Sequence, residues 1–208
     1  MSGGLDCLDM RAFLQVWAGR LPRTEVWSPM NMQYFFDRVR RSVFGGKLTQ
    51  KQVDGLSRIL AYRDEKWPKM SDDELAYLLA TVVHETAFTM QPIREMGSPA
   101  YFRTKRYAPK WIGRGLIQIT WKYNYEKFGI ADDPDAALRW PASLDIAFRG
   151  MIFGMFTGKK LADYIKPGKT PDYVGARRII NGTDRARLIA GYALSFQDAL
   201  KQAKQGAA

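Results

Sequence analysis

Two acidic side chains, Glu85 and Glu95, stand alone in the stretch from His84 to Tyr125. The other charged side chains between those ends are seven cations: Arg94, Arg103, Lys105, Arg106, Lys110, Arg114 and Lys122. Two carboxylates isolated in a basic, aromatic segment are a natural pair for general acid and general base catalysis. Because surface acids near lysines are common, ordinary solvent-exposed ion pairs are the alternative for both residues.

A predicted helix leads directly to Glu85. It begins after Ser71, which has Glu74 three residues on, and this is the capping-box pattern. Apolar residues follow at helical spacing: Leu75, Leu78, Leu79, Val82 and Val83. Glu85 then falls at or just past the C-terminal end of a buried helix. There the helix dipole and the apolar surroundings bias a carboxylate toward the protonated form, which a general acid requires.

Glu95 lies in a segment that we expect to be a loop. Residues 88–109 contain several residues typical of turns: Pro92, Gly97, Pro99 and Pro109. The segment has room for a small β-hairpin and would form the mobile wall of a cleft. On that wall Glu95 is the second candidate residue for acid or base catalysis.

Three separated motifs make the sequence resemble a known family. They are His84-Glu85-Thr86, the run from Gly113-Arg114-Gly115 to Asn124-Tyr125, and Ile179-Ile180-Asn181-Gly182. Their order and spacing over about a hundred residues resemble the family 19 glycoside hydrolases, chitinase-like relatives of lysozyme, and especially the compact phage endolysins of that group. The resemblance implies a mainly α, single-domain, lysozyme-like helical fold whose catalytic cleft is formed by helix ends and loops.

The resemblance also implies roles for individual residues. Glu85 would be the general acid and Glu95 the general base, while Thr120 would help to hold the attacking water. Side chains that match polar positions of the family's cleft would bind the sugar: Gln118, Tyr123, Asn124 and Asn181. Arg114 would pair with Glu95 or with another cleft acid and keep it ionised. Helix capping by Thr120 or Asn124, and a purely conformational turn at Asn181, are the structural alternatives.

The chain departs from the larger chitinases of that family near both acids. Ala87-Phe88 stands where they have a glycine pair, and the insertion before the second acid is shorter. A solvated loop glutamate is therefore the rival interpretation of Glu95. Aromatic side chains offer flat faces for sugar rings, and we expect one or two of the following to do so: Tyr101, Phe102, Tyr107, Trp111, Trp121 and Tyr125.

Several other chemistries are excluded by the residues present. His84 is the only histidine, so a histidine-based zinc triad is impossible. The metalloprotease pattern fails because Phe88 stands where its second histidine belongs. No Gly-x-Ser-x-Gly nucleophile elbow occurs, and the run from Gly154 to Lys160 is one residue short of a phosphate loop. The sequence implies no metal and no cofactor.

The length of 208 residues fits one domain. We expect residues 1–30 to be an N-terminal extension, either an appendage or part of the core. Residues 31–208 would be the lysozyme-like catalytic domain, with a monomer as the default state. Cys7 is the only cysteine, so packing and not an internal disulfide must hold the fold. No stretch approaches the roughly 20 apolar residues of a membrane span.

The net charge of the chain indicates which kinds of partner it attracts. Its 32 basic and 21 acidic residues give a net charge of +11, which attracts polyanions. The leading hypothesis is an endolysin that cleaves the backbone of bacterial peptidoglycan between N-acetylmuramic acid and N-acetylglucosamine. A chitinase is the second hypothesis. A basic nucleic-acid-binding protein is the third, but no nucleic-acid-binding signature is present and we expect no such partner.

The expected location follows from the first residues of the sequence. Residues 1–7 show no basic region followed by an apolar run, so the pattern of a signal peptide is absent. We therefore expect the protein to wait in the host cytoplasm until another factor releases it to the periplasm and cell wall.

Overall fold

The computed structural model describes residues 30–205, and this part of the chain is mainly helical. Its helices are α1 (Met32–Ser42), α2 (Gln50–Lys66), α3 (Asp72–Glu85), α4 (Pro99–Arg103), α5 (Lys122–Lys127), α6 (Trp140–Phe153), α7 (Leu161–Tyr164) and α8 (Ala186–Gln205). Two short 3-10 helices span Pro134–Leu138 and Gly175–Ile179, and two strands are β1 (Ile93–Arg94) and β2 (Arg114–Gly115). The predicted mainly α fold with at most a small sheet is confirmed.

Helix α3 is the centre of the larger core. Ser71 and Glu74 form the predicted capping box, and all nine residues from Leu75 to Val83 are buried. Helix α3 packs most extensively on α8. Polar contacts at the same interface fix how the two helices lie together, since Gln197 donates to Asp73 at 2.6 Å and Lys204 pairs with Asp72 at 2.6 Å. Because α3 is buried over most of its length, it holds the backbone of its last residue, Glu85, rigidly.

A smaller second core lies beside the two-stranded sheet. It contains Ile119, Tyr125, Ala137 and Ile146. In the sheet β1 pairs antiparallel with β2, so that Ile93 lies opposite Gly115. We call residues 93–138 the small lobe and the helices around α3 and α8 the helical lobe. Glu85 belongs to the helical lobe and Glu95 to the small lobe.

The structure corrects one local prediction. Residues 88–109 do not form a hairpin of their own, because β1 pairs with a strand twenty residues later, and Ser98 with Pro99 starts the short helix α4 inside the predicted loop. After β2 the chain makes one further antiparallel bridge, between Arg114 and Ile119, and then forms α5 over residues 122–127.

The predicted N-terminal extension comprises residues 1–30, and all of it except Met30 lies outside the described residues. Met30 packs on the larger core, and Asn31 donates its backbone N–H to Ala203 in α8 at 3.0 Å. In residues 30–205 no helix is both long enough and apolar enough to cross a bilayer.

Candidate active site

Glu85 is the last residue of α3, and Thr86 fixes the turn that follows it. The Thr86 hydroxyl donates to the carbonyl of Val82 at 2.7 Å and accepts from the backbone N–H of Met90 at 3.2 Å. The turn also rests closely on α2, because a Cβ on Gly55 would collide with the carbonyl oxygen of Met90. Contacts with α3 and with α2 therefore set the direction of the chain directly after Glu85.

The carboxylate of Glu85 forms an ion pair with Arg177. Nη1 of Arg177 donates to Oε1 at 2.7 Å, and the side chains are only 3% exposed for Arg177 and 15% for Glu85. Nε of the same guanidinium donates to the carbonyl of Asp184 at 3.0 Å. An arginine at this distance stabilises the ionised carboxylate. The sequence analysis expected an apolar setting that favours protonation, and it missed this partner.

The charge state of His84 depends on its burial and on two charged neighbours. Burial lowers the pKa of His84, the nearby charge of Glu85 opposes that shift, and Arg177 adds to it. The imidazole is therefore neutral near neutral pH.

Glu95 has a different set of partners, all of them neutral. The phenols of Tyr101 and Tyr107 donate to Oε1 at 2.9 and 3.0 Å, and the backbone N–H of Gly113 donates to Oε2 at 2.7 Å. Burial, followed by the hydrogen bonds with Tyr101 and Glu95, raises the pKa of Tyr107, so this phenol keeps its proton. Glu95 is therefore held in place by three donors and is not a freely solvated loop residue.

Arg114 does not pair with Glu95. Its Nε donates to Oδ1 of Asp135 at 2.7 Å, and its Nη1 donates to the hydroxyl of Tyr125 at 3.0 Å. Arg94 donates to the other oxygen of Asp135 at 2.7 Å. Burial would raise the pKa of Asp135, but the hydrogen bonds and charges of Arg94 and Arg114 outweigh it and lower that pKa. The sequence analysis expected Arg114 to pair with Glu95 or with another cleft acid. The structure pairs it with Asp135, which the sequence analysis did not single out.

Gln118 lies next to Glu95. Its Nε2 donates to the carbonyls of Ile93 at 2.9 Å and Gly115 at 3.0 Å. A Cβ on Gly113 would lie 2.8 Å from Oε1 of Gln118 and 3.3 Å from Oε2 of Glu95. Both side chains thus border the same backbone position, and a side chain there would displace the amide of Gln118.

Thr120 and Asn124 continue from Gln118 in a chain of hydrogen bonds. The Thr120 hydroxyl donates to the carbonyl of Gln118 at 3.0 Å, and Asn124 donates to the carbonyl of Thr120 at 2.8 Å. Neither side chain caps α5, whose N-cap residue is Trp121 without a side-chain hydrogen bond. The capping alternative is therefore wrong. The Oδ1 atom of Asn124 is buried and has no hydrogen-bond partner among the described residues.

Tyr123 and Asn181 are both exposed, but they lie in different lobes. Tyr123 follows Trp121 in the small lobe, and the Lys127 amine lies 5.3 Å from its ring centroid. Asn181 follows the 3-10 helix that carries Arg177, and its backbone N–H donates to the carbonyl of Arg177 at 2.9 Å. Asn181 is thus grouped with Glu85, and Tyr123 with Glu95.

The two candidate carboxylates are not joined directly. No hydrogen bond or ion pair links Glu85 to Glu95 in the part of the chain that the structure describes. Each has its own partners in its own lobe. Of the aromatic candidates, Tyr101 and Trp121 are 38% and 41% exposed, whereas Tyr125 is fully buried and cannot stack on a sugar.

Unfavourable backbone conformations occur close to these residues. Six residues other than glycine in the described chain have positive φ: Ala87 (47°), Phe88 (66°), Met90 (55°), Gln118 (53°), Trp121 (73°) and Arg185 (57°). All six lie within a few residues of Glu85, of Thr120 or of the Asp184 carbonyl that holds Arg177. Such conformations cost about 1–3 kcal/mol each and cluster at functional sites. Their positions support a functional site along these segments.

Residues 30–205 contain no group of three or more His, Cys, Asp and Glu side chains arranged to hold a metal ion. The acids that the structure brings near the site are held by arginines, phenols and backbone N–H groups.

Comparison with known proteins gives little further information. No family model matches the chain, and no curated protein matches it. Among solved structures, the crystal structure of a chitinase C mutant is similar over 88% of this chain and 96% of its own, with 18% sequence identity and a TM-score of 0.46. A likeness this distant assigns no activity, so the functional assignment depends on the site.

Proposed function

We propose that the protein is a glycoside hydrolase that cleaves the N-acetylmuramic acid to N-acetylglucosamine backbone of bacterial peptidoglycan. One observation carries the proposal: two carboxylates, Glu85 and Glu95, are held in separate lobes by different kinds of partner. Environments that differ in this way allow two carboxyl groups to take the acid and base roles. Two of the three sequence motifs that resemble family 19 hydrolases involve these acids: His84-Glu85-Thr86 contains Glu85, and the second motif begins at Gly113, whose N–H bonds to Glu95.

Glu95 suits the role of general base. A carboxylate offers about four lone-pair sites, of which three donors already occupy three, so about one remains for a water molecule. That water attacks the anomeric carbon and gives its proton to Glu95. Gln118 borders the same backbone position as Glu95, and the Thr120 hydroxyl donates to the carbonyl of Gln118. In the proposed mechanism both residues help to hold the water and the sugar.

Glu85 supplies the proton to the leaving oxygen as the glycosidic bond breaks. In the proposed mechanism Glu85 acts as a protonated carboxyl group, so the substrate has to displace or weaken the ion pair with Arg177 when it binds.

The charge of the chain favours an anionic polymer over a neutral one. Four basic side chains lie in the segment after Glu95: Arg103, Lys105, Arg106 and Lys110. The Lys105 amine lies 4.4 Å from the ring centroid of Tyr101, one of the two phenols that hold Glu95. Peptidoglycan carries carboxylates and chitin carries none, so cations close to the site select the former. The biological role we propose is that of an endolysin, which stays in the host cytoplasm until release and then lyses the wall.

The test is the release of reducing ends from purified Gram-negative peptidoglycan and, in parallel, from chitin. We expect release from the wall by the wild type and a loss of at least about 100-fold in a folded Glu85→Gln variant. Release from chitin alone would establish the chitinase alternative. No release from either polymer would refute a glycosidase.

A chelator control tests the chemistry separately. Proton transfer by two carboxylates requires no metal, so EDTA should leave the rate unchanged. Strong inhibition that added metal ions reverse would contradict the mechanism.

A further inference from the structure

An open concavity lies on the helical lobe beside the candidate acid. It has a volume of about 380 Å³ and is lined by Val174, Thr183, Arg185, Ala186, Arg187 and Leu188. These residues come from the 3-10 segment that carries Arg177, from the turn after Asn181, and from the start of α8. The volume falls at the lower end of the range of about 300–1,000 Å³ that ligand sites occupy.

The backbone of this concavity is bonded to the arginine that holds Glu85. The carbonyl of Asp184, between Thr183 and Arg185, accepts from Nε of Arg177 at 3.0 Å. Nη1 of the same guanidinium donates to Glu85 at 2.7 Å. A single side chain, Arg177, therefore bonds both to the backbone of the concavity and to the carboxyl group that would act at the glycosidic bond.

The lining combines cations with apolar surface. Neither Arg185 nor Arg187 has a carboxylate partner in the part of the chain that the structure describes. Val174 and Leu188 are 45% and 43% exposed although both are large apolar residues. Unpaired guanidinium groups beside exposed aliphatic side chains suit a ligand that carries both carboxylates and methyl groups.

We propose that this concavity binds the acidic peptide that is attached to the muramic acid of peptidoglycan. The inference rests on the proposed function and specifies the substrate class as glycan that carries its stem peptide. Arg185 and Arg187 pair with the carboxylates of the peptide, and Val174 and Leu188 contact its alanine methyl groups. Chitin has no such substituent, so the concavity distinguishes the two polymers.

The first test compares two forms of one glycan. Intact peptidoglycan and the same strands stripped of stem peptides by an amidase are digested by the wild type and by an Arg185→Gln/Arg187→Gln variant. We expect the KM of the variant to rise about tenfold on the intact polymer, with kcat unchanged, and to stay unchanged on the stripped strands. A control variant, Arg178→Gln/Lys201→Gln, loses two charges at exposed positions outside the concavity and should match the wild type on both.

Either of two results overturns the inference. An equal rise in KM on both substrates would mean that the two arginines only attract anionic polymers in general. No rise on either would mean that they do not contact the peptide.

A second measurement needs no catalysis and so separates this inference from the proposed function. A soluble stem tetrapeptide is titrated into the wild type while amide resonances are followed by NMR. We expect shifts confined to Val174 and residues 183–188, and their loss in the Arg185→Gln/Arg187→Gln variant. If the wild type cleaves neither glycan but shows these shifts, only the glycosidase assignment fails. If it cleaves peptidoglycan but shows none, the peptide site is wrong.

Discussion

The two lobes hold their carboxylates in opposite ways. In the helical lobe, Glu85 ends a buried helix and pairs with Arg177, whose side chain is 3% exposed. In the small lobe, Glu95 is held by two phenols and one backbone N–H, and no cation bonds to it among residues 30–205. In the helical lobe a cation holds the carboxylate of Glu85, whereas in the small lobe neutral hydrogen-bond donors hold the carboxylate of Glu95.

The proposed function assigns two different roles to these two glutamates. A neighbouring cation and a set of neutral hydrogen bonds act differently on the energy of the charged form of a carboxyl group. In the proposed mechanism Glu85 gives up its ion pair when the substrate binds. Glu95 keeps its orientation, because its partners lie on its own lobe and at least one, Tyr107, stays protonated.

The largest effect is expected on removing the base. Glu95→Ala should lower the rate of glycan cleavage by about 10²–10⁴-fold, because no group remains to take the proton of the attacking water. Added azide should restore part of the rate, since this anion attacks without giving up a proton. The rate is measured as reducing-end release with and without azide. Glu126→Ala, which removes an exposed acid paired with Lys122, is the control. A rate that stays high in Glu95→Ala would remove Glu95 from the mechanism.

Breaking the ion pair of the helical lobe should mainly affect stability. Arg177→Met leaves Glu85 partly buried without its cation, and such a loss costs about 3–5 kcal/mol of the free energy of unfolding. Chemical denaturation measures this. Arg149→Met breaks an exposed pair with Asp145, whose side chains are 42% and 39% exposed, and should cost at most about 1 kcal/mol. Equal losses in the two variants would show that burial does not distinguish the pairs.

Weakening the small lobe's network should give a smaller effect on rate. Tyr107→Phe removes one of the two phenol donors to Oε1 of Glu95. A hydrogen bond to a charged group contributes about 1.5–3 kcal/mol to stability, so the free energy of unfolding should fall by about that amount. Because Glu95 is then less firmly oriented, we expect kcat to fall about tenfold. Tyr34→Phe, at an exposed tyrosine, is the matched control. An unchanged kcat in Tyr107→Phe would mean that this phenol does not orient the base.

The smallest effect concerns the single histidine, which reports on the Glu85–Arg177 pair. NMR titration should place the pKa of His84 below its ordinary value of 6.5, because burial outweighs the charge of Glu85. Glu85→Gln should lower this pKa further and Arg177→Met should raise it, since each removes one of the opposing charges. Shifts in the reverse directions would refute this account of the pair.

The lowered pKa of His84 makes the stability of the folded state depend on pH. The folded state holds the His84 proton less tightly than the unfolded state does, so its stability is fully present above about pH 6.5. That stability falls as the pH drops below 6.5 toward the folded-state pKa. Replacing His84 with Gln should remove this part of the pH dependence, as measured by thermal unfolding at several pH values.

Local sequence signals were sufficient for helix α3 and for part of the site. The capping box at Ser71 was readable because it needs only residues three positions apart. The position of Glu85 at a helix end followed from the same periodic pattern. The turn geometry of Gln118 and Trp121, both with positive φ, was not readable, since neither residue type prefers that conformation.

The sequence by itself therefore determined a mainly helical chain, a net charge of +11 and two isolated acids. Only the tertiary structure decided their partners. Arg177 reaches Glu85 across 92 residues of chain, and Arg114 selects Asp135 over the nearer Glu95. The chain has many cations and many phenols, so composition leaves the pairing open. The packing of α3 on α8 and of β1 on β2 brings particular pairs within hydrogen-bond distance, and that distance decides which charges interact.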